Sequence, residues 1–564
     1  MWQLILDHFP KLIIFLQAFL LALAPLLVYL VIRRFKVMDG RTSRRKQKME
    51  YYKTHPDAAQ PVSVSTEQGE RVHCFTEDHE TNITLFRNAA ADMSDVNEHK
   101  IFLKNPNIEI ALFFVEGLMD KIELEEHTIK PLLEWGNSLQ DLDLLPQGEE
   151  FGTMLVEEVL IVSETRYTQD VKAALRKVLF GSILLLINRM PGAILLGGPK
   201  GNTRAVEEPI SESVLRGPRL GFTEILSDNT AMLRRHGESG ELAMLSYRIG
   251  TRVEKELKVV YFRDIADPEL VDEVKRRVST IDVDEALESG YVEHLIEDDF
   301  LSPFPQIQST ERPDRVMAAL LEGRVAILLD GSAFALIMPV TYSMMLQSPE
   351  DYYERWIASS LIRSLRFMAA LISLFAPAIY ISLISFHPGL IPTKLVISII
   401  STRQSVPFPT LIEALIMEIS IEILREAGLR LPKPIGPAMG IVGGLIIGQA
   451  AVNAGIVSPI LVIIVSVTAI SSFAAPMYSA GIALRLLRFP IMLTAAVFGL
   501  YGVVMFFVFL CIHMLKLQSF GISYLELASP HSFSSWKDFF IRVPLQFMRF
   551  RPTLLKNINP KRRK

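Results

Sequence analysis

The sequence predicts an α+β cytoplasmic region of two α/β subdomains, followed by an α-helical polytopic membrane domain and preceded by an extra N-terminal transmembrane helix. Three observations predict it. Charge is segregated: most of it precedes residue 356, while the last third holds long apolar runs. Residues 12 to 32 carry no charge, enough length to cross a bilayer core that needs about 20 residues. Between these lie short apolar runs closed by turn residues, the pattern of strands in a folded domain.

The basic run Arg33, Arg34, Lys36, Arg41, Arg44, Arg45, Lys46 and Lys48 follows the first apolar stretch. By the positive-inside rule it lies in the cytoplasm, with the N-terminus outside. A cleaved signal peptide is the rival reading, since Ala22-Leu23-Ala24 resembles a cleavage site. Pro25 after the cut and the basic flank on the far side favour an uncleaved anchor. The units are then an anchor (1–36), a basic and polar linker (37–72), soluble subdomain 1 (73–150), soluble subdomain 2 (151–350), a membrane domain (351–520) and a basic tail (521–564).

In the first subdomain a helix is expected near Thr81 to Ala91 and a strand at 108–120, closed by Gly117. In the second, a helix runs from Thr168 to Leu179, two strands meet at Pro191-Gly192, and 257–265 is a strand. RVAILLDGSAFALIMPV (324–340) reads as a hairpin about Asp330-Gly331. The charged stretches 241–256 and 269–298 read as surface helices, giving a mixed sheet with helices.

EEPISESVLRGPRLGFTEILSDNTAMLRR (207–235) mixes Glu207, Glu208, Glu212 and Glu224 with Arg216, Arg219, Arg234 and Arg235 around Gly217-Pro218 and Gly221. A paired-carboxylate catalytic site needs two acids converging on a pocket. Bases as numerous as acids favour an ion-pair-rich loop at a domain or subunit contact. The candidate coupling motif is Glu207, Glu208, Arg216, Gly217, Pro218, Gly221, Phe222 and Glu224.

In the membrane part, apolar candidates are 367–386, 435–454, 456–475 and 489–515, with Arg363, Arg366, Arg485 and Arg488 marking cytoplasmic edges. The run 395–401 is too short to span. Glycine at 436, 440, 444 and 448 strips side chains from one helical stripe, a seam where another helix approaches closely. A plain transmembrane helix is the other reading. Pro432, Pro434 and Pro437 favour a broken or re-entrant start. On TLIEALIMEISIEILREAGLR (410–430), Glu418, Glu422 and Glu426 fall within an arc of about 80°, while Glu413 projects elsewhere. Two readings stand: an interfacial helix, or an acidic pore lining that attracts cations. Counting crossings leaves the 489–515 helix emerging outside while the basic tail asks to be inside, so a segment is re-entrant or a crossing is hidden.

Net charge of −4 excludes little. Only Cys74 and Cys511 are present, too few for a disulfide framework. No P-loop, zinc-ligand spacing or nucleophile elbow appears, so no catalytic, metal or cofactor site is assigned, and no nucleic-acid partner is expected. A solute carrier would show broken helices in two repeated halves. One broken segment and no internal repeat are visible.

The stretches 207–224, DGSAFALIMPVTYSMMLQSPEDYYERW (330–356), 402–436 and AVNAGIVSPILVIIV (451–465) together resemble the A subunit of the GerA spore germination receptor family. The likeness runs from about residue 75 to about 555. It implies an endospore-forming bacterium, the spore inner membrane, and a two-part cytoplasmic domain before a membrane domain. It also implies a transporter-like B subunit carrying the nutrient site, a lipoprotein C subunit, and homo-oligomerisation into a nutrient-gated cation channel. A non-conducting membrane scaffold or coupling subunit is the alternative. The N-terminal helix and its basic linker depart from the family pattern.

Overall fold

The computed structural model describes residues 74–103, 108–119, 124–138, 149–160, 165–188, 190–197, 208–209, 211–212, 214–236, 239–430, 436–525, 538–539 and 541–562. The anchor and linker expected over 1–72 lie outside them. Two compact units result, one of Val72–Leu371, Ile470–Leu486 and Leu515–Lys564, the other containing Ile372–Ala469 and Leu487–Met514.

The first unit holds two five-stranded antiparallel sheets. Sheet one contains β1 (Val96–Leu103), β2 (Ile108–Val115), β3 (Thr165–Thr168), β4 (Ile183–Ile187) and β5 (Ala193–Leu196), in the order β1-β2-β4-β5-β3. Sheet two contains β6 (Leu242–Ile249), β7 (Lys255–Phe262), β8 (Gln308–Thr310), β9 (Val325–Leu329) and β10 (Ala335–Met338), in the order β6-β7-β9-β10-β8. Relative to chain order these are one topology used twice. The helices repeat too: α1 (His79–Ala89) and α4 (Val171–Val178) cover one face of sheet one, as α5 (Leu226–Arg234) and α8 (Pro313–Leu321) cover sheet two. Opposite them lie α2 (Lys130–Ser138) and α3 (Glu149–Met154) on sheet one, and α6 (Pro268–Ser279) and α7 (Ser289–Ile296) on sheet two.

A local signature marks each repeat. Phe75-Thr76-Glu77 and Phe222-Thr223-Glu224 precede α1 and α5, and a buried asparagine six residues after each threonine closes the loop. The Thr76 amide donates to Asn82 Oδ1 at 2.6 Å and Asn82 Nδ2 donates to the Thr76 carbonyl at 2.7 Å. Thr223 and Asn229 repeat both bonds at 2.8 and 2.6 Å. A buried polar side chain must find partners, so both asparagines are fixed. The subdomains are tied by Arg234, whose guanidinium meets Asp95 at 2.8 and 2.9 Å, both side chains buried.

Three expectations change. Strands β3, β4 and β5 complete sheet one, so a boundary at 150/151 cuts through that sheet. Both sheets are wholly antiparallel, not mixed. The stretch 241–256 is not a helix: its polar residues occupy the exposed positions of β6, whose register with β7 runs from Leu242↔Phe262 to Ile249↔Lys255. Most of the charges that suggested a surface helix flank β6 rather than lie on it, Glu241 before the strand and Arg252, Glu254, Lys255 and Glu256 in the turn and the start of β7. The Asp330-Gly331 hairpin forms as read, pairing Leu336 with Ile327.

After sheet two come α9 (Tyr342–Leu346), α10 (Glu350–Tyr353) and α11 (Trp356–Ser385), then α12 (Thr393–Arg403), α13 (Thr410–Arg430), α14 (Gly436–Asn453), α15 (Pro459–Ser472) and α16 (Tyr478–Lys516). Only α11 and α16 among the described helices are long and apolar enough to cross a membrane. With 14 residues, α15 reaches ~21 Å, short of a ~30 Å hydrocarbon core.

The helix expected at 489–515 is not straight. Gly499 takes φ 60°, ψ −142°, outside any helix, and a Cβ on Gly502 would lie 2.2 Å from the Thr494 carbonyl oxygen. Residues eight apart in a continuous helix are separated by ~12 Å, so the chain folds back at Gly499. The neighbours agree: Arg488 bonds to Ser373, a Cβ on Gly499 would meet Phe386 and His387 at 3.0 Å, and Phe507 packs on Phe375 with ring centroids 5.7 Å apart. The arm before Gly499 follows α11 outward and the arm after it returns. The following strands β11 (Gln518–Ser519) and β12 (Ile522–Ser523) rejoin subdomain two, where Phe520 is part of the core under sheet two.

Candidate functional site: a junction between sheet two, the first long helix and the tail

The junction is built on α8. Pro313 opens that helix with its ring at the first turn, where no amide hydrogen is required. Arg312, just before it, is fully buried. Its guanidinium donates to Asp314 at 3.1 and 2.8 Å, to the Glu212 carbonyl at 3.2 Å and to the Pro218 carbonyl at 2.9 Å. One cation therefore pins the 208–224 loop to the helix start. Arg315 adds an ion pair with Glu212 at 3.2 Å.

The loop reaches α10 through Gly217. Its φ of 141° and its place against Tyr353, where a Cβ would lie 2.7 Å from the ring, both require glycine. The Tyr353 hydroxyl donates to Asp314 at 2.5 Å; burial, then that carboxylate, raises the phenol pKa, so it stays a donor. Arg216 approaches Glu354 at 3.8 Å, both exposed, and the Glu350 carboxylate accepts from the Leu215 amide.

A second cluster joins α11 to the C-terminal tail. Arg363 is fully buried and meets Asp351 at 3.2 Å and Asp538 at 2.8 Å, while Arg366 meets Asp351 at 2.8 Å. Tyr352 donates to Asp538 at 2.6 Å. Burial raises the Asp538 pKa and the Arg363 charge opposes that rise. Arg542 donates to the carbonyls of Glu354 and Tyr352 at 2.8 and 3.2 Å. Removing one partner of such a cluster leaves an uncompensated buried charge, at a cost of about 3–5 kcal/mol.

Of the coupling motif, Arg216, Gly217 and Pro218 converge on this junction. Gly221 and Phe222 are buried, Phe222 in the core. Glu224 acts through its carbonyl, which accepts from the Gly331 amide at 2.8 Å, while its side chain is exposed. Glu208 pairs with Arg219 at 3.0 Å on the surface, and Glu207 lies outside the described residues. Arg312, Asp314, Asp351 and Asp538 were not singled out from sequence. Their partners can be distant in sequence, as Arg363 and Asp538, 175 residues apart, show. The Arg-Pro-Asp tripeptide opening α8 was the one local signal.

In the other unit the acids of α13 separate into two kinds. Glu413 and Glu418 are buried: Glu413 meets Arg403 at 2.7 Å and accepts from the Ser458 amide at 3.1 Å, and Glu418 pairs with Arg488. Arg488 also donates to the Ser373 carbonyl and hydroxyl at 2.8 and 3.0 Å, joining α11, α13 and α16. Glu422 is half-buried and Glu426 exposed, and they pair along their own helix with Arg425 at 3.1 Å and Arg430 at 2.7 Å. Of the glycines, a Cβ on Gly444 would touch Leu424 of α13 at 3.7 Å, and one on Gly448 would touch Val462 of α15 at 3.6 Å. Gly436 and Gly440 lie on the first turns of α14.

The Bacillus/Clostridium GerA spore germination protein family matches residues 84–554. The chain is 43% identical to an uncharacterized membrane protein, YfkQ, of Bacillus subtilis (strain 168), over 78% of this chain and 84% of that one. It is 42% identical to spore germination protein A1 of the same organism, over 84% and 95%, and 40% identical to spore germination protein GerLA of Bacillus cereus, over 85% and 96%. Among solved structures, the N-terminal domain of the A subunit of the Bacillus megaterium spore germinant receptor GerK3 is 28% identical, with a TM-score of 0.37, covering 48% of this chain and 98% of that one. With both sheets, the junction and every described membrane helix inside the matched span, the chain belongs to the GerA spore germination protein family.

Proposed function

We propose that the chain is the A subunit of a spore germinant receptor in the spore inner membrane, where it oligomerises and conducts cations when a nutrient binds to the complex. The match over 84–554 carries this reading, because it includes the paired sheets, the junction and the helices in one continuous span. A transporter-like B subunit and a lipoprotein C subunit are the expected partners. The junction gives the coupling route: displacement of the 208–224 loop reaches α11 through Arg312, Asp314 and Tyr353.

Within this reading Glu422 and Glu426 are the acids that face a conduction path, and Glu413 and Glu418 hold helices together. The glycine positions 436, 440, 444 and 448 provide close packing for α14. A non-conducting coupling subunit is the second reading. The pairing of Glu413 and Glu418 with arginines favours it, since two of the four acids are neutralised inside the bundle.

The test is cation flux through the full chain, with its partner subunits, in sealed vesicles. Wild type is expected to conduct, Glu422→Gln to lower cation preference, and Gly444→Leu to abolish the flux. No flux from a verified oligomer in any partner combination overturns the channel in favour of the coupling subunit.

A further inference from the structure

The tail from residue 541 to 564 contains eight bases, Arg542, Arg549, Arg551, Lys556, Lys561, Arg562, Arg563 and Lys564, and no acid. It is held at two places. At one end the Arg542 amide donates to Ser360 Oγ at 3.1 Å in the first turns of α11, and Phe539 packs on Phe367 with centroids 5.2 Å apart. At the other, Arg551 donates to the Leu321 carbonyl at 2.7 Å, Asn557 to the Glu322 carbonyl at 2.7 Å, and the Ile558 amide to Ile265 at 3.0 Å.

Between these anchors Leu545, Phe547 and Phe550 stand exposed at 58%, 68% and 60%, and Arg549 between the two phenylalanines is exposed as well. Three large apolar side chains on a short pinned segment are more than scattered surface exposure. In α11, around the Ser360 that the Arg542 amide meets, Trp356, Ile357 and Leu361 are also exposed.

We propose that this segment is a membrane-surface binding element: Leu545, Phe547 and Phe550 enter the headgroup boundary of an anionic bilayer, and Arg549 and its basic neighbours meet the lipid phosphates. Charge complementarity selects the occupant: Arg549 and Lys561 are exposed on a tail that carries no acid, while Arg542, Lys556 and Arg562 are held by the fold. Apolar side chains set among bases are the composition of interfacial anchors. The anchors to α11 and to subdomain two give the element a consequence. Lipid contact at 545–550 holds the junction around Arg363 and Asp538 at the bilayer surface.

The proposal rests on the membrane reading of the chain, and the experiment separates the two. Full chain carrying Cys74→Ser and Cys511→Ser receives a nitroxide label at Phe547→Cys, at Phe550→Cys, or at Phe509→Cys on the return arm of α16. Each is reconstituted in vesicles of phosphatidylcholine with or without phosphatidylglycerol. Oxygen and nickel-chelate accessibilities report depth. The label at 509 is expected to be lipid-exposed in both vesicles, and a water-exposed 509 overturns the membrane reading itself. Labels at 547 and 550 are expected to be lipid-exposed only with phosphatidylglycerol, and Arg549→Gln to lower their bound-to-free ratio about fivefold, the effect of roughly one basic residue at a charged surface. Water exposure of 547 and 550 in both vesicles, equal depth in both, or shielding that appears only when a partner subunit is added would each overturn the proposal, the last in favour of a protein contact.

Discussion

Arg488 shows what one side chain holds. It is buried with Glu418 and also donates to Ser373, so three helices share one cation. Arg488→Ala is expected to destabilise the helical unit by about 3–5 kcal/mol, because it leaves the buried Glu418 without its ion-pair partner. The double change Arg488→Met with Glu418→Leu is expected to recover most of that loss. Thermal unfolding of the detergent-solubilised chain reads both, and a double variant no better than the single one would show that the pair does more than neutralise itself. Glu293 is the opposite case. It lines a cavity of about 290 Å³ with Glu288 and Tyr478, and burial followed by repulsion from Glu297 and Glu288 raises its pKa to about 7. A folded pKa above the unfolded value gives stability that is complete below the ordinary carboxyl range and lost as pH rises through 7. Glu293→Gln is therefore expected to raise stability at pH 8 by on the order of 2 kcal/mol and to change little at pH 4. Equal effects at both pH values would remove the titration from the explanation.

At the level of elements, α16 shows where hydropathy stops being informative. Its residues are apolar on both sides of Gly499, so a hydropathy reading sees one helix, yet the backbone folds back at a conformation that side-chain-bearing residues avoid. Gly499→Val is expected to cost about 1–3 kcal/mol in backbone strain alone, with further cost from Phe386 and His387 at 3.0 Å. Spin-label distances across the two arms, between the exposed positions 493 and 505, would lengthen in this variant; unchanged distances would mean that the turn is set elsewhere. Strand β6 shows the same limit in the soluble part. Its first three residues are buried without alternation, and only Ser246 and Arg248 are exposed between Leu245, Tyr247 and Ile249, too short an alternation to read beside the charges that flank it. The hairpin of β9 and β10, by contrast, was legible because Asp-Gly fixes the turn and the flanking runs are apolar throughout. Helix α13 was legible to its ends, Thr410–Arg430, since Pro407 and Pro409 precede it and Pro432 follows it.

For the whole molecule, the sequence by itself determined the succession of parts: a charged α/β region with its strands and helices mostly in place, an apolar helical region, and motifs that mark the GerA family. Those properties are local, arising from composition, period and turn chemistry along short stretches. Only the tertiary structure decided that the soluble region is one five-stranded topology used twice, because the repeat survives in strand order and in the Thr76–Asn82 and Thr223–Asn229 loops while most side chains differ. It alone sorted the acids of α13 into buried Glu413 and Glu418, half-buried Glu422 and exposed Glu426, since an angle on a helix does not say which neighbour occupies that side. It alone joined Asp351, Arg363 and Asp538, because a buried charge is satisfied by whichever partner the fold delivers, at any distance along the chain.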